Sequence, residues 1–164
     1  MLSALRTTLY VQISPERLSV RNVKTGASIS EVPEVAILHQ GSANARVLAV
    51  GSAAQAALSV PAVSVVNPFG HPRSLVSDFT VGEVLLKVFF GRILGRRWLA
   101  PAPAVVLHPL GRPEGGFTQI EFRALREMAF GAGGAPVLLW QGRALTDREI
   151  LSRQFPADGG AIAA

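Results

Sequence analysis

The sequence has 164 residues, of which 49% are hydrophobic and 16% are charged, and it contains no cysteine. This length fits one domain, or one domain with a small lobe, and the hydrophobic content excludes a wholly disordered chain. The lack of cysteine excludes disulfides and thiolate metal sites and is typical of cytoplasmic proteins. The net charge of +5 favours an acidic partner. Nucleic acid is not the expected partner, because no groove-reading motif accompanies the charge.

The first third of the sequence predicts antiparallel strands and a short helix. Runs of alternating polarity predict strands at residues 9–13 and 18–23, and two further strands are predicted at residues 34–38 and 47–50. Ser52 is a good helix N-cap residue and precedes an alanine-rich run. A helix is therefore predicted over residues 53–58.

The middle of the sequence predicts a strand, a loop and a buried helix. The apolar run 63–66 predicts the strand, and Asn67-Pro68 ends it because proline has no N–H to donate. Thr80 and Glu83 have the spacing of a capping box, which predicts a helix start there. This helix is apolar around most of its circumference, so it should be packed on both sides.

The next segment predicts a buried strand, a helix and another strand. Residues 104–107 form an unbroken apolar run, the pattern of a strand buried on both faces. Thr118 and Glu121 have capping-box spacing for a helix that ends near residue 130, before a glycine-rich turn. Residues 137–140 predict the last strand.

The final segment predicts a third capped helix and a loose end. Thr146 and Glu149 have capping-box spacing, for a helix to about residue 155, and residues 158–164 are expected to be frayed. Early antiparallel strands followed by alternating strands and helices indicate an α/β domain with a mixed sheet and flanking helices.

The spacing of the three histidines in the sequence does not indicate a metal site. His39, His71 and His108 fall in three separate segments without ligand spacing. His108 ends a buried strand, a position often used for function in α/β sheets. A strand-end histidine bonded to the backbone is the favoured interpretation.

Three strings, in order, resemble segments of the bacterial actin homologue MreB, the rod shape-determining protein family. They are V-L-A-V-G-S-A-A-Q-A-A-L (47–58), S-V-V-N-P-F with L-V-S-D-F-T-V-G-E-V-L (within 64–85), and F-T-Q-I-E-F-R-A-L-R-E-M-A-F-G-A-G-G-A-P-V-L-L (117–139). The resemblance covers the family's first domain. It implies an actin-like (ribonuclease H-like) single domain over residues 1–160, with a five-stranded type of mixed sheet and a small β-rich lobe at about residues 29–58.

The resemblance fails where the family binds nucleotide. The family's first hairpin turn carries Asp-Leu-Gly-Thr, whose acid serves the metal and whose glycine and threonine hold the phosphates. The matching positions here include Gln12, Ser14 and Pro15, a degenerate remnant of that loop. An amide replaces the carboxylate, and proline removes an N–H that could bond a phosphate.

Two further differences from the family also argue against nucleotide binding. The family's Glu-Glu-Pro after the last strand is replaced by Gln141-Gly142-Arg143, and the sequence ends before the family's second phosphate loop. Tight ATP binding by the isolated chain is therefore not expected, and neither a cofactor nor enzymatic activity is predicted.

Glu121 has two interpretations. The resemblance places it at the family's water-positioning glutamate, which would make it catalytic. It also completes the capping box with Thr118, and capping alone is the favoured interpretation because a positioned water needs a phosphate to attack.

A membrane or partner contact is predicted from two short segments. Some MreB proteins carry an apolar N-terminal anchor, and Leu2 and Leu5 resemble one weakly. Arg96, Arg97 and Trp98 follow the buried helix and could contact lipid or protein. Two leucines bury too little area to hold a membrane alone, so the protein is expected in the cytoplasm, with a peripheral membrane location as the alternative.

The resulting hypothesis is a non-enzymatic, actin-like scaffold or regulator, a pseudo-ATPase linked to the bacterial cytoskeleton and cell shape. It would self-associate or bind a protein through the face that a second domain covers in full-length relatives. One alternative is half of a split actin-like ATPase completed by another chain. The other is a peripheral membrane adaptor.

Overall fold

A computed structural model describes residues 6–41, 44–95 and 100–163. The strands of this part of the chain are β1 Thr8–Ile13, β2 Leu18–Asn22, β3 Ser28–Glu31, β4 Val35–Gln40, β5 Asn44–Val50, β6 Val63–Val66, β7 Ala104–Pro109, β8 Val137–Gly142 and β9 Gly160–Ala163. Its α-helices are α1 Phe79–Leu94, α2 Gln119–Gly131 and α3 Asp147–Ser152. The predicted α/β class with a mixed sheet is confirmed.

The main sheet has six strands in the order β3-β2-β1-β7-β8-β9. β1, β7 and β8 run parallel at its centre, and the other strands pair antiparallel. β7 is buried along its whole length, as its unbroken apolar run predicts. Because parallel strands end at the same edge, Gln12 lies beside His108, and Gln141 follows on β8. We call this the carboxyl edge.

A second sheet forms the small lobe, with the order β5-β4-β6. The predicted lobe limits of about 29–58 differ from this sheet, because Ile29 pairs with Val20 in the main sheet and the lobe sheet extends to Val66. The predicted helix at 53–58 is wrong in type. Gly51–Ala53 and Gln55–Ser59 are 3-10 turns without a side-chain cap, and the Ser52 N–H donates instead to the Glu31 carboxylate at 2.9 Å.

The helices α1 and α2 cover one face of the main sheet. Leu9, Val11 and Ile13 of β1 point into this core and are fully buried. Phe89 of α1 and Leu125 of α2 pack with them, also without exposure. Burial of each such side chain stabilises the fold by about 1.5–3 kcal/mol.

Two of the three predicted capping boxes are present. Thr118 with Glu121 begins α2, and Thr146 with Glu149 begins α3. The box predicted at Thr80 is wrong. Asp78 caps α1 by accepting from the Val81 N–H at 3.0 Å, because aspartate is the stronger N-cap and stands two residues earlier.

The opposite face of the sheet has less cover. Tyr10, Val106 and Trp140 form a smaller core there with Leu145 and Ile150. Within the described residues, the only helix over this face is α3, which has six residues. A single short helix leaves part of the face without a second layer.

The predicted frayed end at 158–164 is wrong for Gly160–Ala163, which form β9 against β8. Glycines make this pairing possible. Gly142 has φ of 144°, and the Arg143 N–H donates to the Gly159 carbonyl at 2.8 Å. A side chain at Gly142 would collide with the backbone of Gly159 and Gly160.

We predict that Gly142→Ala lowers the free energy of unfolding by about 2 kcal/mol or more, because alanine has no comfortable conformation at this φ and its Cβ meets backbone. Urea unfolding measures the change. Gly91→Ala is the matched control. Gly91 is exposed in α1 with nothing near its added Cβ, so that variant should gain up to about 1 kcal/mol. Equal stability of Gly142→Ala and the parent would contradict the β8–β9 pairing.

Candidate functional site

The turn between β1 and β2 is closed on itself. The Ser14 N–H donates to the Arg17 carbonyl at 2.9 Å, and the Arg17 N–H donates to the Ser14 hydroxyl at 3.1 Å. Pro15 has no N–H, so three of the four backbone positions in this turn cannot donate to a ligand phosphate. Glu16, at the remaining position, is exposed and carries a carboxylate that repels phosphate.

The loop between β6 and α1 fastens this turn to the rest of the fold. The Asn67 side-chain amide donates to the Pro15 carbonyl at 2.7 Å, and its oxygen accepts from the Phe69 N–H at 2.9 Å. Phe69 is fully buried. The turn is thereby held in its closed form by a contact with the core.

His108 and Tyr10 form a buried hydrogen-bonded chain at the carboxyl edge. The Tyr10 hydroxyl accepts from the Leu145 N–H at 3.1 Å and lies 2.7 Å from His108 Nδ1. Because the Gly142 carbonyl beside Nε2 can only accept, a neutral His108 carries its hydrogen on Nε2, and its Nδ1 accepts from the Tyr10 hydroxyl. His108 Nε2 then donates to the Gly142 carbonyl at 2.9 Å. This order requires a neutral imidazole with its hydrogen on Nε2, and it ties β1, β7 and β8 together.

The ionisation of both groups is shifted toward the neutral form. Burial lowers the pKa of His108, although its bond to the Gly142 carbonyl opposes the shift. Burial also raises the pKa of Tyr10, against the opposing effect of the Leu145 N–H. With both nitrogens of His108 engaged by protein atoms, the histidine is structural, as the strand-end interpretation predicts.

Glu121 is engaged on both carboxylate oxygens. Oε2 accepts from the Thr118 N–H at 2.8 Å and from its hydroxyl at 3.0 Å, and Oε1 accepts from the Leu75 N–H at 2.9 Å. Burial alone would raise the pKa of Glu121, but the bonds from Thr118 and Leu75 outweigh it and hold the pKa below its usual value. The carboxylate therefore joins α2 to the loop before α1.

A pocket of about 670 Å³ lies at the carboxyl edge beside these groups. His108, Gln141 and Gly142 line its floor, and Leu110 and Phe117 add apolar surface from the loop before α2. Gln141 and Gly142 stand at the end of β8, and the charged residues Arg112 and Asp158 also line the pocket. The pocket therefore offers both apolar contact and charged groups.

The structure brings four of the nine predicted site residues to one edge. Gln12, Ser14 and Pro15 lie at the end of β1 and in the turn after it, and Glu121 begins α2 at the same edge. Tyr10 and Asn67 were not predicted for the site. Their bonds join residues 98 and 52 positions apart, a separation that leaves no local pattern.

The predicted membrane or partner residues Leu2, Leu5, Arg96, Arg97 and Trp98 lie outside the described residues. In the part of the chain that the structure describes, no helix is long and apolar enough to cross a membrane. The same residues contain no group of three or more histidine or carboxylate side chains placed to hold a metal ion.

We predict that stability falls between pH 7.5 and 5.5 because of His108. The folded pKa lies below the unfolded value of about 6.5, so the unfolded chain binds the proton first and the native state loses up to about 1 kcal/mol as pH drops through this range. Urea unfolding at the two pH values measures this. His108→Gln should remove the pH dependence, whereas His71→Gln, at an exposed histidine, should retain it.

We predict that Glu121→Gln lowers the free energy of unfolding by about 1–3 kcal/mol, because an amide nitrogen cannot accept from the Thr118 and Leu75 groups. Thermal unfolding is the measurement. Glu127→Gln, on the exposed side of the same helix, is the control and should change little. A Glu121→Gln protein as stable as the control variant would argue against the capping role.

Comparison with known proteins gives one curated relative of note, while no family model matches the chain. The chain is 29% identical over 119 residues to the cell shape-determining protein MreB of Haemophilus influenzae. The match covers 71% of this chain and 33% of MreB. The chain thus spans about a third of the relative's length.

Solved structures give the fold. MreB5 of Spiroplasma citri bound to AMPPNP superposes with a TM-score of 0.62 at 19% identity, over 82% of this chain and 38% of that one. A non-polymerising MamK mutant bound to AMPPNP gives 0.65 at 17% identity, over 83% and 41%. The chain therefore has an actin-like fold, and the resemblance to MreB proteins predicted from its sequence is confirmed.

Proposed function

We propose that this chain is a non-enzymatic, actin-like scaffold or regulatory protein of the bacterial cytoskeleton, with a role in cell shape. It acts in the cytoplasm by self-association or by binding a protein partner. The similarity to a cell shape-determining protein supports the cytoskeletal part. The closed turn at Ser14 to Arg17 is the observation that carries the non-enzymatic part.

The residues at the turn do not fit the phosphates of a nucleoside triphosphate. Phosphate loops bind through backbone N–H groups that point outward at the ligand. Here the Ser14 and Arg17 N–H groups are engaged inside the turn, Pro15 has none, and Glu16 adds a negative charge. Opening the turn would also break the bond between Asn67 and the Pro15 carbonyl.

The side chains of Glu121 and His108 at the carboxyl edge support the same proposal. Activating a water needs a base with a free lone pair that faces the substrate. Both Glu121 oxygens and both His108 nitrogens already have protein partners. Contact with a partner domain requires no such base, and Leu110 and Phe117 supply apolar surface for it.

Calorimetry with Mg-ATP tests the proposal directly. The chain should show no heat of binding and should release no phosphate above a protein-free blank. Pro15→Gly and Gln12→Asp together serve as a comparison that returns the missing N–H and carboxylate. Tight Mg-ATP binding by the unaltered chain, which would be weakened by Glu121→Gln, would overturn the proposal.

Association is the second readout. Sedimentation at increasing concentration should show oligomers, or a defined complex with a cytoskeletal protein. A strictly monomeric chain with no such complex would contradict the scaffold. Mg-ATP binding that appears only when a partner is added would instead favour the alternative of a split ATPase.

A further inference from the structure

A groove of about 850 Å³ lies at the opposite end of the main sheet from the nucleotide-site remnant. It follows the starts of β7 and β8, where Ala104 and Val137 stand. We call it the amino groove. No residue of the proposed carboxyl-edge site lines it.

The amino groove lies where the cover of the sheet is incomplete: Val105 and Leu139 line it from the α1 and α2 face, and Val106 and Ile150 line it from the α3 face. The short helix α3 and Phe155 pack over Trp140, toward the other end of β8. Leu138 is left half-buried. Beside it, Leu151 and Ile162 are 48% and 53% exposed. Apolar side chains therefore line a depression that no described part of the chain fills.

The charges that line the amino groove are all of one sign in the described residues. Arg6, Lys24, Arg126 and Arg153 are among the lining residues, and no aspartate or glutamate is. They come from four separate segments of the chain. A partner surface that carries carboxylates around an apolar stripe would complement this lining.

The position of the groove on the sheet fits a helix. In α/β folds the exposed face of a mixed sheet is covered by helices, which place an apolar stripe against the strands. A second copy of this chain is disfavoured as the occupant of this groove, because the charged residues that line it are basic and the chain itself carries a net charge of +5.

We infer that the amino groove is a docking site for an acidic amphipathic helix of a partner protein. Leu151 and Ile162 contact the apolar stripe of that helix, and Lys24 and Arg153 face its carboxylates. The inference rests on the proposed scaffold function, because it states the chemistry of the protein partner that such a scaffold would bind. It does not depend on whether the chain binds ATP.

Fluorescence anisotropy with stapled helical peptides tests the inference on the full chain. One peptide carries leucines at positions i, i+3, i+4 and i+7 with glutamates beside them, and its match carries lysines in place of the glutamates. The glutamate peptide should bind about tenfold more tightly than the lysine peptide, and added salt should reduce that preference.

Charge reversal locates the site. Lys24→Glu with Arg153→Glu, both at exposed positions, should weaken the glutamate peptide about tenfold and reverse the preference. Arg73→Glu, an exposed reversal outside the groove, is the matched control and should change little. Leu151→Asp should weaken both peptides, and circular dichroism confirms that each variant remains folded.

Four results would overturn the inference. The first is equal binding of the two peptides, and the second is binding of neither. The third is a dimer of the chain alone that Leu151→Asp dissociates, since the occupant is then a second copy. The fourth is binding to phosphatidylserine vesicles through Arg153 without peptide binding. If the peptides do not bind at the amino groove and the chain also does not bind Mg-ATP, the docking inference is wrong but the proposed function stands. The two experiments therefore test the two proposals separately.

Discussion

Burial of both faces of the parallel strands β1, β7 and β8 is the constraint on which the other features depend. A parallel sheet is stable when helices or loops cover each side, since its strands carry apolar residues in both directions. The helices α1 and α2 meet this requirement on one face, over Leu9 and Val11. Among the described residues, α3 and its neighbours cover the other face around Trp140. In the described residues, the sheet is therefore covered more completely on the α1 and α2 face than on the α3 face.

The buried hydrogen bonds at the carboxyl edge are a consequence of the same burial. Tyr10 and His108 enter the second core with their polar atoms, so each must have a partner inside the protein. Their hydrogen-bonded chain ends on the Gly142 carbonyl, at the start of the turn to β9. Glu121 has a comparable role between α2 and the Leu75 loop. The polar atoms of these three side chains are thus bonded to other parts of the fold.

Local patterns predicted local structure, and pairings between distant residues were missed. The capping boxes at Thr118 and Thr146 were recognisable because their partners stand three residues away. Thr80 has the same spacing, but Asp78, a stronger N-cap residue, caps the helix instead. The strand β9 was missed because glycines normally indicate a chain end or a turn, whereas here they allow backbone to approach Gly142. The closed turn was half predicted: its proline was recognised, but not the bond from Asn67 that holds it.

The two ends of the sheet therefore differ in what they can still bind. At the carboxyl edge the named donors and acceptors are already paired within the protein, so a charged ligand would have to displace existing bonds, at a cost of about 1–3 kcal/mol for each buried group left unpaired. At the amino groove the exposed Leu151 and Ile162 lose water on contact, which is favourable at about 25 cal/mol per Å² of apolar surface. The basic residues around them select the sign of the partner. A partner at the amino groove would thus meet exposed apolar side chains, whereas a phosphate at the turn would have to displace the bonds between Ser14 and Arg17.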